Sequence, residues 1–244
     1  SIIFPFKEDI LEKIEKNRVI IISGNTGCGK STQVPQYIYE SNENNKILMT
    51  QPRRIAVVSI AKRLAEEMNQ KIGFKVGYHV SMNPNFCNDT SILVETTGLF
   101  MEEIIHKNLN YTHIILDEVH ERDIFVDLVL ALMKWYFESK PESKLKLILM
   151  SATIAEDSFA DYLKNINGGN VPIVKIKECL HQVTDFTLDS IFNYIKNDST
   201  ISKKIKNEVD NVVQSCQSQV KAVPVYMNDL FPVVAAIIEK IEND

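Results

Sequence analysis

The stretch Gly24-Asn25-Thr26-Gly27-Cys28-Gly29-Lys30-Ser31-Thr32 restricts what this chain can fold into more than any other. It fits the pattern G-x-x-x-x-G-K-[ST]. It follows the apolar run Arg18-Val19-Ile20-Ile21-Ile22-Ser23 and precedes a helical stretch opening at Lys30. A strand, a glycine loop and a helix in that order form an anion cradle. Glycines let successive backbone N–H groups point inward, and the helix N-terminus adds partial positive charge. Lys30 can then reach the β- and γ-phosphates of a nucleotide, and the Ser31 hydroxyl can ligate Mg²⁺.

A second strand serves the same chemistry. Tyr111-Thr112-His113-Ile114-Ile115-Leu116 reads as buried and runs into Asp117-Glu118-Val119-His120. Two adjacent acids after an apolar strand are weak alone, because acids often cap helices. Beside a phosphate loop they gain roles. Asp117 would hold Mg²⁺ through its water shell, and Glu118 would orient or deprotonate the attacking water.

Strand candidates alternate with amphipathic helices through about residue 177, at Val19–Ser23, Lys46–Thr50, Ser91–Glu95, His113–Asp117, Lys146–Ser151 and Ile173–Ile176. Helical stretches lie between them, among them Arg54–Gln70, Thr97–Lys107 and Ile124–Phe137, and Phe4–Lys16 forms a leading helix. That alternation predicts an α/β fold, a mainly parallel sheet with helices on both faces and ligands at the carboxyl ends of the strands. Beyond Glu178 the pattern weakens. His181–Leu188 alternates like a strand, Asp198–Gln219 is polar, and Met227–Ile241 reads as a short helix. We therefore expect a first domain over 1–177 and an extension or linker over 178–244.

The bulk numbers narrow the class. Hydrophobic residues make up 45% and charged residues 24%, ordinary values for a globular protein. No run approaches the ~20 apolar residues of a membrane helix, so no membrane partner is expected. The net charge of −5 excludes a global basic field, so any nucleic-acid contact must be local. Cys28, Cys87, Cys179 and Cys216 have neither zinc nor disulfide spacing and read as free thiols in a reducing compartment. The chain begins with Ser rather than Met, which reads as a piece cut from a longer protein.

Three further segments end strands. Gln51-Pro52-Arg53-Arg54 places two arginines at a helix start, suited to sugar–phosphate contacts or to solvated surface alike. Glu95-Thr96-Thr97-Gly98 follows another strand. Ser151-Ala152-Thr153 follows a third, where its hydroxyls can bond to the acidic loop or cap the next helix.

The ordered set GNTGCGKST, TQPRR, ETTG, DEVHERD and MSAT resembles the first RecA-like lobe of the DEAH/RHA group of superfamily 2 helicases, over roughly Phe6 to Ile176. The resemblance implies a P-loop ATPase using ATP and Mg²⁺ and acting on a single-stranded segment of RNA. It implies that Gly24 through Thr32 bind the triphosphate, with Ser31, Asp117 and Glu118 serving the metal and Lys30, Asp117, Glu118 and His120 the catalysis. Arg63 matches the position that stacks on adenine. Arg53, Arg54, Thr96 and Gly98 match positions that track the RNA backbone, and Ser151 and Thr153 match the motif coupling hydrolysis to strand movement. Val119 replaces the alanine of DEAH, Thr97 stands where aspartate is common, and Asn25 replaces a frequent glutamate.

Within the group, Leu149–Ile154, Phe159–Tyr162 and the DEVHERD form resemble the Spindle-E type, germline helicases of the piRNA pathway. That implies piRNA-pathway protein partners and cytoplasmic, perinuclear germ granules, with the nucleus as the alternative. Nothing in the chain matches the Q-x-x-G-R-x-G-R motif of the second RecA-like lobe, so that lobe and its arginine fingers must come from elsewhere in a longer chain. The isolated lobe is therefore expected to hydrolyse nucleotide poorly. A splicing-type or DNA-directed motor and a nucleotide-binding scaffold remain open as alternatives.

Overall fold

A computed structural model describes residues 2–106, 109–152 and 156–176, together with Asn207. Within these residues the chain alternates α1 (Lys7–Lys16), β1 (Val19–Gly24), α2 (Lys30–Ser41), β2 (Ile47–Gln51), α3 (Arg54–Glu67), β3 (Val76–His79), β4 (Ile92–Thr96), α4 (Thr97–His106), β5 (His113–Leu116), α5 (Ile124–Ser139), β6 (Lys146–Ser151), α6 (Glu156–Leu163) and β7 (Ile173–Ile176). The strands form one sheet in the order β3-β4-β2-β5-β6-β1-β7. Every neighbouring pair is parallel.

The apolar pattern explains this architecture. All six residues of β1 are buried, as are all five of β2, because the sheet is covered on both faces and needs no polar side. On one face Ile20, Ile22, Met49 and Ile115 pack under Ile14, Tyr37, Ile38, Val57 and Leu64 of α1, α2 and α3. On the other, Ile21, Leu48, Leu116 and Leu149 pack under Phe100, Val129, Met133 and Phe159 of α4, α5 and α6. Each fully buried Ile or Leu contributes about 1.5–3 kcal/mol relative to an exposed one. Here the alternation of β1 splits between two cores.

The RecA-like α/β arrangement is present as expected, with small shifts at element ends. β5 stops at Leu116, so Asp117 begins the loop; α3 ends at Glu67, before Gln70; and α5 runs on to Ser139. The structure adds an edge strand, β3, that periodicity does not reveal. Its four residues include Gly77, and they are held by register with β4, Val76 beside Ile92 through His79 beside Glu95. The segments anticipated over His181–Leu188, Asp198–Gln219 and Met227–Ile241 lie outside the described residues, as does any test of the division at 177/178.

Because all strands are parallel, their carboxyl ends share one edge. The phosphate loop leaves β1, Pro52-Arg53 leaves β2, Thr97-Gly98 follows β4, the acidic pair leaves β5 and Ala152 leaves β6.

Candidate nucleotide-binding site

The loop between β1 and α2 is shaped by glycines. Gly27 and Gly29 adopt φ of 82° and 98°, a region L side chains avoid, and Gly29 is the N-cap of α2. Thr26 and Gly27 are exposed at the loop crest, whereas Cys28 is buried beneath it. The Thr32 hydroxyl sits 3.4 Å from the Gly29 carbonyl. No side chain caps the first-turn N–H groups of α2. Such groups are available to an anion, and the helix dipole favours one there. Lys30 is only 6% exposed. Its Nζ donates to the carbonyls of Gly24 at 2.6 Å and Asn25 at 3.1 Å, so its charge is held inside the loop.

Asp117 lies two strands away, since β6 separates β5 from β1. Two strand spacings are about 10 Å, and the first turn of α2 crosses that gap. Ser31 Oγ donates to Asp117 Oδ2 at 2.6 Å. The Gln51 amide at the end of β2 donates to the same oxygen, and the Glu118 N–H donates to Oδ1 at 2.9 Å. Asp117 is 1% exposed. Burial pushes its carboxyl up to about 6; the Ser31 hydroxyl draws it down, and the neighbouring Glu118 charge raises it.

The rest of the acidic loop is a single 3-10 turn, Val119–Glu121, between two left-handed residues, Glu118 at φ 56° and Arg122 at φ 52°. Non-glycine residues in that region carry strain of order 1–3 kcal/mol and cluster at functional sites. His120 Nδ1 accepts the Ala152 N–H at 3.2 Å, joining the acidic loop to the end of β6. The same nitrogen lies 3.4 Å from Glu118 Oε2. Accepting from Ala152, it has no proton to share, so we read that approach as proximity rather than an ion pair. The Ser151 hydroxyl donates to the Ala152 carbonyl instead of bonding to the acidic loop; the backbone of Ala152 makes that link. Thr153 lies outside the described residues.

The positions matched to RNA contacts gather on neighbouring strand ends, with Gln51 in register with Thr96. Arg53 and Arg54 are both exposed, and both have partners. Arg53 Nη2 pairs with Glu121 Oε1 at 3.0 Å, and Arg54 Nη2 donates to the Ser81 carbonyl at 2.9 Å. Thr97 is buried, and its hydroxyl makes no hydrogen bond. Arg63 is an exposed residue of α3, ion-paired to Glu67 at 2.6 Å. Glu67 in turn accepts from Gln33 and Gln36 of α2, so Arg63 is tied to the helix that begins at the phosphate loop.

Three residues here were not singled out from sequence: Gln51, Glu67 and Glu121. Gln51 and Glu121 lie within the TQPRR and DEVHERD segments, but the resemblance gives them no role of their own there; Glu67 carries no local signature.

The donor set fits a hydrated Mg²⁺ held with a nucleotide. That ion usually takes one or two protein oxygens and completes its octahedron with phosphates and water. Ser31 Oγ and Asp117 Oδ2 supply two hard oxygens side by side. Among the described residues no three His, Cys, Asp or Glu side chains form a metal cluster, so a dedicated protein cage is not what this edge offers.

Together, fold and site define a P-loop domain of the RecA-like α/β class. The chain belongs to the DEAD/DEAH box helicase family, whose model matches residues 4–161. It is similar to the probable ATP-dependent RNA helicase spindle-E of Aedes aegypti, 41% identical over 195 residues, covering 76% of this chain and 14% of that protein. It is also similar to the DExH-box ATP-dependent RNA helicase DExH2 of Arabidopsis thaliana, 36% identical over 222 residues, 84% of this chain and 14% of the relative. A third, DExH8 of the same plant, is 42% identical over 178 residues, 71% and 17% respectively. The chain thus spans about a seventh of the length of the first two relatives.

Proposed function

We propose that this chain is the N-terminal ATP-binding lobe of an ATP-dependent RNA helicase, dividing near residue 177 from an extension that leads to a second RecA-like lobe. The observation that carries the reading is the Ser31–Asp117 contact. It brings the phosphate loop and the acidic strand end together across an intervening strand.

Lys30, released from the Gly24 and Asn25 carbonyls, would meet the β- and γ-phosphates, and the N–H groups from Gly27 to Thr32 would cradle them. Ser31 and Asp117 would hold the metal. When bound there, Mg²⁺ would help neutralise the charge that develops on the transferred phosphoryl group. Glu118 would position the attacking water and take its proton at Oε, while His120 would relay the state of the acidic loop to Ala152 and the β6 end. Arg63 would lie over the base, and Arg53, Arg54, Thr96 and Gly98 would follow the phosphates of one RNA strand. Arginine fingers from the second lobe would complete the charge stabilisation, so this lobe alone would turn over poorly.

The likeness to spindle-E helicases favours a germline role in piRNA-mediated silencing, in cytoplasmic perinuclear granules, with piRNA-pathway proteins as partners. A splicing-type motor in the nucleus is the second reading, since the chain is also similar to DExH-box ATP-dependent RNA helicases of Arabidopsis thaliana. A scaffold that binds nucleotide without moving RNA is the third. Lys30→Ala in the full-length protein separates motor from scaffold. A motor loses RNA-stimulated hydrolysis and its cellular function together, whereas a scaffold keeps its function.

A further inference from the structure

We propose that Glu121 is an internal competitor for RNA, a carboxylate that occupies Arg53 and must be displaced before that arginine can bind a backbone phosphate. The inference rests on the reading of Arg53 as an RNA contact and adds what holds it beforehand. Arg53 caps α3 at the sheet edge, with its side chain 74% exposed, and its Nη2 lies 3.0 Å from Glu121 Oε1. The Arg53 end is open to solvent and the Glu121 end is partly so. An exposed pair of this kind is worth only about 0.2–1 kcal/mol, so it forms readily and breaks readily. A phosphate offers guanidinium a stronger, two-pronged partner of the same charge sign.

The position of Glu121 makes the exchange more than a local event. It closes the 3-10 turn through its N–H to the Glu118 carbonyl at 3.0 Å. That turn sits between two left-handed residues, one of them Glu118 itself. Its other tethers are Arg122 on Asp127, at 2.9 and 3.1 Å, and His120 on Ala152. Arg53 is therefore one of several side-chain anchors on the loop that carries the water-positioning acid, beside those that Ser31 and Gln51 make to Asp117. Phosphate binding at the RNA edge would release that anchor.

The test uses the full-length protein, without nucleotide, titrated into a fluorescein-labelled single-stranded oligoribonucleotide at low salt and read by anisotropy. Wild type, Glu121→Gln, Arg53→Gln and the double variant are compared. Glu121→Gln should bind RNA about 1.5- to 5-fold tighter, the factor set by the strength of an exposed ion pair. Arg53→Gln should bind more weakly, and the double variant should match Arg53→Gln alone. If Glu121→Gln gains nothing, or gains equally in the Arg53→Gln background, the competitor role is overturned. Equal gain would mean only a general loss of negative charge near RNA. If none of the four proteins binds the oligonucleotide, the RNA reading of Arg53 falls and this inference falls with it.

Discussion

Ser31 and Asp117 are 86 residues apart in sequence, yet the hydroxyl of one lies 2.6 Å from the carboxylate of the other. Ser31 rides on the first turn of α2, and Asp117 follows β5, with β6 lying between β5 and β1. The pair is what turns a glycine loop and an acidic strand end into a single site.

Lys30 is buried and held by two carbonyls of its own loop, so its removal should loosen the loop as well as take a positive charge from the anion cradle. Hydrogen bonds to charged groups are worth about 1.5–3 kcal/mol. Lys30→Ala should therefore weaken Mg²⁺–ATP binding by about tenfold or more. Titration with a fluorescent ATP analogue, with and without Mg²⁺, measures it, and unchanged affinity would count against the proposed cradle.

Gln51 donates its buried amide to the oxygen of Asp117 that also takes the Ser31 hydroxyl. Gln51→Leu keeps the bulk and removes the donor, leaving a buried carboxylate short of a partner at a cost of about 1–3 kcal/mol. The Mg²⁺ concentration needed for half-maximal nucleotide binding should rise, and the melting temperature should fall. Gln51→Glu, which sets two carboxylates together, should be worse on both counts.

Phe100 is fully buried on α4, the helix that starts just after Thr96 and carries Gly98, and packs in the core beneath it. Phe100→Ala should destabilise the lobe by about 3–5 kcal/mol, read from the urea midpoint. A smaller loss would mean the second core collapses around the gap.

His113, at the opposite edge of the sheet, is pulled down to about 4, first by burial and then by Lys146 beside it. A base whose folded pKa lies below its unfolded value stays neutral in the native state, while the unfolded chain takes up a proton. Stability is therefore kept above about pH 6.5 and falls as the pH drops toward 4. At pH 5 the loss from this residue should be no more than about 2 kcal/mol. Thermal melts of wild type and His113→Gln at pH 7 and pH 5 check it, with the variant losing less.

The elements bearing the phosphate loop and the acidic pair were legible because each is local. The run Val19–Ser23 is apolar throughout, as a strand covered on both faces must be, and Gly27 and Gly29 mark the left-handed turn that feeds α2. The edge strand β3 was not legible. Val76-Gly77-Tyr78-His79 is short, contains glycine, and owes its extended form to pairing with β4. For Ser151, the sequence showed a hydroxyl at a strand end but not that the Ala152 N–H, rather than the hydroxyl, reaches the acidic loop.

By itself, then, the sequence determined the class of fold, the glycine loop and the acidic strand end that faces it, because consecutive residues set backbone shape and every parallel strand delivers its end to one edge. The tertiary structure alone decided which ends are neighbours. The order β3-β4-β2-β5-β6-β1-β7 brings Gln51 to Asp117 and Arg53 to Glu121, and packing of α3 on α2 brings Glu67 to Gln33 and Gln36. Strand order follows from how two apolar faces are covered at once, a property of the whole sheet that no local periodicity carries.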